Sequence, residues 1–312
     1  MSCEPASHPF DHSRQAATPR FTIVILTYAR DDILSQILDR LAQHLAQRSD
    51  YELIVVDNNP GHVDRSAQLS RFPAKVLWDG ANKGVVARNL GFEAASGEVI
   101  VLLDDDVFVE TADFLDRFAA RFDDDPRLGA VTIAKHVRGD TSRRADIIPH
   151  TDKSVDLTRP FPTFRFVGGC VGFRTAALRE TGGFLPDFFY GLEEIELSYR
   201  LIEQGWTILY DPSIACEELE HPAGRRPKRQ VQADRLTNKF IISFLHMPSP
   251  YIWLNMLAFP PYAYLAARGE IDMLRAFRQF LAWLRKPGRM PRRPIGKPAQ
   301  RYIRECGGQL WR

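Results

Sequence analysis

The stretch VIVLLDDDVFVE, Val99 to Glu110, limits the fold more than any other part of the chain. Val99 to Leu103 are five consecutive branched apolar residues, which suits a strand inside a parallel sheet covered on both faces. Asp104, Asp105 and Asp106 follow at once, so they fall at the carboxyl edge of that sheet. Like charges at this spacing repel and disfavour one another's ionised form. Two readings accommodate them: an acidic surface turn, or a site where a hard divalent cation, with phosphate oxygens as its other ligands, neutralises the cluster.

The surrounding segments alternate in period. Phe21 to Thr27 predicts a strand, and DDILSQILDRLAQHLAQ a helix with Ile33, Ile37, Leu38, Leu41 and Leu45 on one stripe. YELIVVDNNP and AKVLWDG predict two more strands, and NKGVVARNLGFEAASG a helix with Gly97 just past its end. After the aspartate strand come LGAVTIAKH and a polar, proline-containing excursion, Val137 to Phe164, suited to substrate selection over an active edge. RFVGGCVGFRTAALRETGGF predicts a strand, a short helix and a Gly-Gly turn. FFYGLEEIELSYRLIEQG predicts a helix ending at Gly205, and WTILYDPSIACEELEHP closes the unit. The expected class is α/β: a Rossmann-like, mainly parallel mixed sheet flanked by helices, with ligands beyond the carboxyl ends of its strands. Asp57 and the aspartate cluster share that edge.

At 312 residues the chain can bury one large core or two modest ones. A formal net charge of +2 gives no general case for nucleic acid, and no nucleic-acid motif is present. Cys3, Cys170, Cys216 and Cys306 lack CxxC spacing, which favours neither a zinc site nor a disulfide framework and fits a reducing, cytoplasmic setting. Residues 1–20 have no apolar core of a signal peptide and read as a disordered leader. Phe240 to Ala267 is long and apolar, but Pro248, Pro250, Pro260 and Pro261 are expected to break it into packed or interfacial helices. Further on, Ile271, Leu274, Phe277, Leu281 and Leu284 form a stripe beside Arg275, Arg278, Arg285 and Lys286. Such a helix suits peripheral contact with the inner face of an anionic membrane, or else covers the catalytic unit and leaves its arginines in water.

TIVILTYAR, LIVVDNN, NKGVVARNLGFEAASGEVIVLLDDD, GGF and EEIELSYRLIEQGWTILYDP, in this order, resemble the family 2 inverting glycosyltransferases of GT-A fold. The resemblance covers about residues 21 to 221. It implies a catalytic domain with a donor-binding half near 21–110 and an acceptor half near 111–221, followed by a basic loop and a C-terminal helical extension over 222–312. Asp104 and Asp106 match the DXD motif, implying that Asp104 approaches the ribose and that Asp106 holds Mn²⁺ or Mg²⁺ on the diphosphate of a nucleotide-sugar, with Asp105 between them. By the same resemblance Asp57 accepts a hydrogen bond from the base, Thr27, Tyr28 and Arg30 flank the nucleotide, and Arg88 contacts base or phosphate. Structural alternatives stand beside these: a strand-end turn for Asp57, core packing for Tyr28 and a surface cation for Arg88.

GLEEIELSYR departs from the family's usual pair, in which glutamate is followed by aspartate: Glu194 stands in the aspartate's place. An inverting displacement needs one carboxylate to take the proton of the acceptor hydroxyl, chemistry that glutamate can also perform. Adjacent residues on a helix point about 100° apart, so the two cannot both face one hydroxyl; the match to the aspartate's position implies Glu194 as the base, with Glu193 binding acceptor or supporting the site. Glu196 and Arg200 read as a helix-surface pair. His221 falls where some GT-A enzymes supply an imidazole to the metal. Arg225, Arg226, Lys228 and Arg229 could close over the diphosphate or remain solvated. The expected activity is metal-assisted transfer of a sugar to an acceptor hydroxyl on a glycan, a lipid-linked molecule or a small molecule. The alternative suggested by Glu194 is a non-catalytic nucleotide-sugar-binding or scaffold protein. A phosphotransfer site is less well matched, because the threonine and lysine that accompany its aspartate are not evident.

Overall fold

The computed structural model describes residues 18–142, 147–219 and 226–310. The chain runs β1 (Phe21–Thr27), α1 (Asp31–Leu45), β2 (Tyr51–Asp57), α2 (Ser66–Leu69), β3 (Ala74–Trp78) and a 3₁₀ turn, Gly84–Ala87, leading into α3 (Arg88–Ala94). It continues through β4 (Val99–Asp104), β5 (Val107–Val109), α4 (Phe114–Asp124), β6 (Leu128–Val137), β7 (Phe161–Pro162), β8 (Cys170–Arg174), α5 (Thr175–Thr181), α6 (Glu193–Glu203) and β9 (Thr207–Glu218). Four helices follow: α7 (Lys228–His246), α8 (Tyr251–Ala266), α9 (Met273–Leu284) and α10 (Lys297–Glu305).

One mixed sheet has the order β3-β2-β1-β4-β8-β6-β9-β5, with β7 paired to β9. The first four strands are parallel, β8 runs antiparallel to both β4 and β6, and β6 and β9 are parallel. Successive residues of the central strands point to opposite faces. Ile23, Ile25, Val101 and Leu103 pack with α1 and α4, whereas Val24, Val56, Ile100 and Leu102 pack with α3, α5 and α6. Both faces are covered, which is why these strands read as unbroken apolar runs. The β1–β2 and β1–β4 registers set Thr27 beside Asp57 and Leu26 beside Asp104. The acidic strand ends therefore share one edge.

The C-terminal helices extend the α6 side of the core: Ile241, Leu245, Trp283 and Ile303 are buried in the same cluster as Leu197 and Leu201. Two expectations change here. Only the Pro248–Pro250 stretch interrupts the long apolar segment, because Pro260 and Pro261 lie inside α8. Proline removes a helical N–H but leaves carbonyls that water can reach on an exposed face. The stripe predicted around α9 is also split: Ile271 is buried against α7, whereas Leu274, Phe277 and Leu281 face outward. Among the described residues, no helix is long and apolar enough to cross a membrane.

Candidate active site

Strand alternation turns Asp104 toward the face that carries α3 and α6. Arg88, the first residue of α3, donates through Nη2 to Asp104 Oδ1 at 2.5 Å, and its Nη1 lies 3.8 Å from Glu193 Oε1. Arg88 is buried, yet the facing carboxylates of Asp104, Glu193 and Glu194 more than offset the desolvation of its guanidinium and hold it charged. Arg88 Nε and Glu193 Oε2 are buried without hydrogen-bond partners. Unspent polar atoms of this kind are rare in a purely structural core and suit a site completed by a ligand.

Asp105 and Asp106 are gathered by Arg30, at the end of the segment following β1. Arg30 Nη1 donates to Asp105 Oδ1 at 2.8 Å and to Asp106 Oδ2 at 2.6 Å, and the Tyr28 amide donates to Asp105 Oδ2 at 3.0 Å. Burial first, and then the Asp104 carboxylate, push the Asp106 carboxyl up to about 7. One guanidinium therefore does not neutralise the cluster. Leu219 donates its amide to the Asp106 carbonyl at 2.9 Å, bringing the end of β9 to the same place. There Lys135 Nζ and Glu218 Oε2 form a 2.9 Å ion pair. His221 and Arg225 lie outside the described residues.

Asp57 is buried and already engaged: Arg65 Nε donates to its Oδ2 at 2.7 Å, and Asn59 Nδ2 to its Oδ1 at 2.7 Å. Arg65, wholly buried, also reaches Asp31 at 2.8 Å and so ties the end of β2 to the start of α1. The neighbouring Asn58 takes the Lys83 amide and donates to Asn82, holding the loop before α3 against β2. Gly84 in that loop has φ +65, and a Cβ there would stand 2.1 Å from the Phe189 carbonyl oxygen. Only glycine lets the two loops meet.

Glu193 and Glu194 open α6, where a helix N-terminus favours negative charge. Burial and the adjacent Glu194 carboxylate raise Glu193 to about 8, against the opposing pull of Arg88. Glu194 is half-buried. Its carboxylate lies over Gly168, where an added Cβ would come within 2.5 Å of Oε1. Glu196 and Arg200 do pair, at 2.6 Å, but they are not at the surface. Glu196 is fully buried and also meets His246 Nε2 of α7 at 2.9 Å. Arg200 further donates to the carbonyls of Thr181 and Gly183. Burial alone would raise the Glu196 carboxyl, but Arg200 and His246 hold it at about 2. In the basic loop, Arg226 pairs with Asp234 and stacks on Phe189, 4.7 Å from the ring centre.

The structure thus gathers Asp104, Arg88, Glu193 and Glu194 into one set and Arg30, Asp105 and Asp106 into a second, with the Asp104 carboxylate close enough to act on Asp106 and Arg30 as well. Sequence patterns missed Arg65, Lys135, Gly168 and His246. A charged Lys135 within the apolar run AVTIAKH was a usable signal; the partners of Arg65 and His246, 8 and 50 residues away in sequence, left none. Among the described residues, no group of three His, Cys, Asp or Glu side chains has the arrangement of a closed metal site. The carboxylate oxygens of Asp104 and Asp106, hard donors carrying excess negative charge, nevertheless fit a hard dication whose remaining ligands come from a substrate.

Comparison with known proteins places the chain in a family. The chain is 30% identical over 142 residues to an uncharacterized protein of Haemophilus influenzae, covering 42% of this chain and 75% of that one. It is 34% identical over 110 residues to the uncharacterized glycosyltransferase YwdF of Bacillus subtilis, covering 31% and 40%. Among solved structures, a mannosyltransferase of Pyrobaculum calidifontis, PcManGT, in complex with GDP-Man and Mn²⁺, superposes with a TM-score of 0.58 at 20% identity, over 93% of this chain and 84% of the other. The family model for glycosyl transferase family 2 matches residues 22–182. That match takes in more than half of the chain and spans the strands whose ends build the acidic edge, so this protein belongs to glycosyl transferase family 2, on a fold of GT-A type.

Proposed function

We propose that this protein is an inverting, metal-assisted glycosyltransferase in which Glu194 is the general base. The observation that carries this reading is the convergence of Asp104 from β4, Arg88 from α3 and the Glu193–Glu194 pair from α6 at one sheet edge. In this reading residues 21–110 hold the nucleotide-sugar donor, with Thr27, Tyr28, Arg30 and Asp57 around the nucleotide. Residues 111–221 receive the acceptor. Asp104 and Asp106 would hold Mn²⁺ or Mg²⁺, and His221 is a further candidate ligand. When bound, the cation stabilises the negative charge of the departing nucleoside diphosphate.

The carboxylate of Glu194 takes the proton of an acceptor hydroxyl while the hydroxyl oxygen forms its bond to the anomeric carbon. The bond from that carbon to the diphosphate oxygen breaks on the opposite face, so configuration inverts. Burial and the adjacent Glu194 carboxylate favour the protonated form of Glu193, which is enclosed and held toward Arg88. Its more accessible neighbour is better suited to the role. Arg88 stands between the two halves, orienting Asp104 while compensating the paired glutamates.

The test combines donor calorimetry with product analysis. UDP- and GDP-sugars are titrated with and without Mn²⁺, and turnover is then followed with a pool of hydroxyl acceptors. Donor affinity should require the cation and fall in Asp106→Asn. Glu194→Gln should retain donor binding while losing turnover roughly 10²-fold or more. Equal donor affinity with and without metal would refute the metal's role, and near-normal turnover in Glu194→Gln would move the base elsewhere. Donor binding without transfer to any acceptor would favour the nucleotide-sugar-binding alternative.

A further inference from the structure

Helix α8 is apolar along its whole length and carries no charged residue, yet only Asn255 and Pro260 of it are buried. A helix of that composition ordinarily lies inside a protein. Here Trp253 is 63% exposed, Leu257 74% and Leu265 74%. Across the turn, α9 uses one side for the core, burying Ala276 and Trp283, and leaves Leu274, Phe277 and Leu281 outward. Arg278 and Arg285 are exposed at helical spacing from these residues, four and eleven positions after Leu274. Both helices pack on α7, and each leaves large apolar side chains outward, with exposed cations on and just after α9, more than the singly scattered apolar residues of an ordinary surface.

We propose that the outer faces of α8 and α9 form a docking surface for an anionic lipid bilayer. Charge selects this occupant. Residues 251–293 contain eight Arg or Lys against two Asp or Glu; Arg275 and Lys286 pair with Asp234 and Asp187, and Arg268, just past α8, stands exposed with Arg278 and Arg285 beside the two helices. A second copy of the same face would bring two strongly basic surfaces together, while anionic headgroups complement them. Trp253 and Tyr264 supply aromatic rings suited to the headgroup boundary. The helices would lie along the surface, since no described helix can span it. Attachment is reversible and needs the apolar insertion and the basic margin together.

The face also borders the proposed reaction. Asn238 of α7 donates to the Tyr190 and Gly191 carbonyls just before Glu193. Asn238 shares a cavity of about 590 Å³ with Trp283 of α9, and with Arg285 and Lys286 beyond that helix. A surface-bound enzyme would therefore hold its acceptor side close to the headgroups. Docking itself does not depend on the transfer chemistry, and its test uses no donor and no turnover.

The full-length protein is floated with neutral phosphatidylcholine vesicles and with vesicles containing phosphatidylglycerol, at low and high salt. It should float with the anionic vesicles at low salt and be released at high salt. Arg268→Gln, Arg278→Gln and Arg285→Gln combined should weaken binding on the order of a hundredfold. Leu257→Ser with Leu265→Ser should also abolish flotation, and circular dichroism checks that each variant is folded. Brominated lipid should quench a component of tryptophan fluorescence that disappears in Trp253→Phe. Failure to bind anionic vesicles at low salt overturns the proposal. So does a dimer in sedimentation that the leucine substitutions dissociate, which would assign the face to a second copy.

Discussion

Replacing Glu196 by glutamine should destabilise the protein more than its surface-like pattern in the sequence suggests. The carboxylate is wholly buried, contacts Arg200 at 2.6 Å and His246 at 2.9 Å, and is held at about 2 against an ordinary value of 4.5. That difference corresponds to about 3 kcal/mol favouring the folded state, comparable with the loss expected on breaking a buried ion pair. For a chain of this size the melting temperature at pH 7 should fall by roughly 4–6 °C. Because the folded-state value is depressed, the contribution is complete above about 4.5 and is lost as pH falls toward 2. The gap between wild type and Glu196→Gln should therefore narrow between pH 5 and pH 3. Thermal unfolding followed by circular dichroism across that range measures both effects. The same substitution should lower turnover at temperatures where the variant is folded, because Glu196 fixes the helix that begins with Glu193 and Glu194. Equal melting temperatures at pH 7, or a gap that widens in acid, would refute the reasoning.

Arg30→Ala removes the cation shared by Asp105 and Asp106. Mn²⁺ binding to the donor-free protein, measured by electron paramagnetic resonance, should tighten, and added Mn²⁺ should recover part of the lost thermal stability. Weaker Mn²⁺ binding would instead make Arg30 a support of the site rather than a competitor for it. Gly168→Ala introduces a methyl group 2.5 Å from the present position of Glu194 Oε1. Displacing that carboxylate should reduce turnover on the order of tenfold to a hundredfold with donor affinity kept, and an unchanged rate would separate Glu194 from the reaction.

The strands, their order of appearance and the acidic edge were legible because they follow from local pattern. Val99 to Leu103 could be read as a strand buried on both faces, and Ile33 to Leu45 as one helical stripe, since side-chain periodicity is set by backbone geometry alone. The same periodicity put Asp57 and the Asp104–Asp106 cluster at strand ends, where chemistry gathers in a mainly parallel sheet. Glu193 and Glu194 were also visible, because a helix start marks them and the motif order frames them.

What lay beyond local pattern depended on partners distant in the chain. Glu196 and Arg200 form a helical i, i+4 pair wherever the helix sits. Only the packing of α7 on α6 buried them and added His246. Asp57 looked available, but Arg65 and Asn59 occupy its oxygens. Pro260 and Pro261 looked like breaks, yet both lie inside α8, a helix most of whose surface the core does not cover. Sequence alone determined which residues could be apolar, charged or helical, through short-range geometry. Tertiary structure decided which charges were desolvated and paired and which apolar faces stayed outside, because burial is set by the whole surface that closes around a residue.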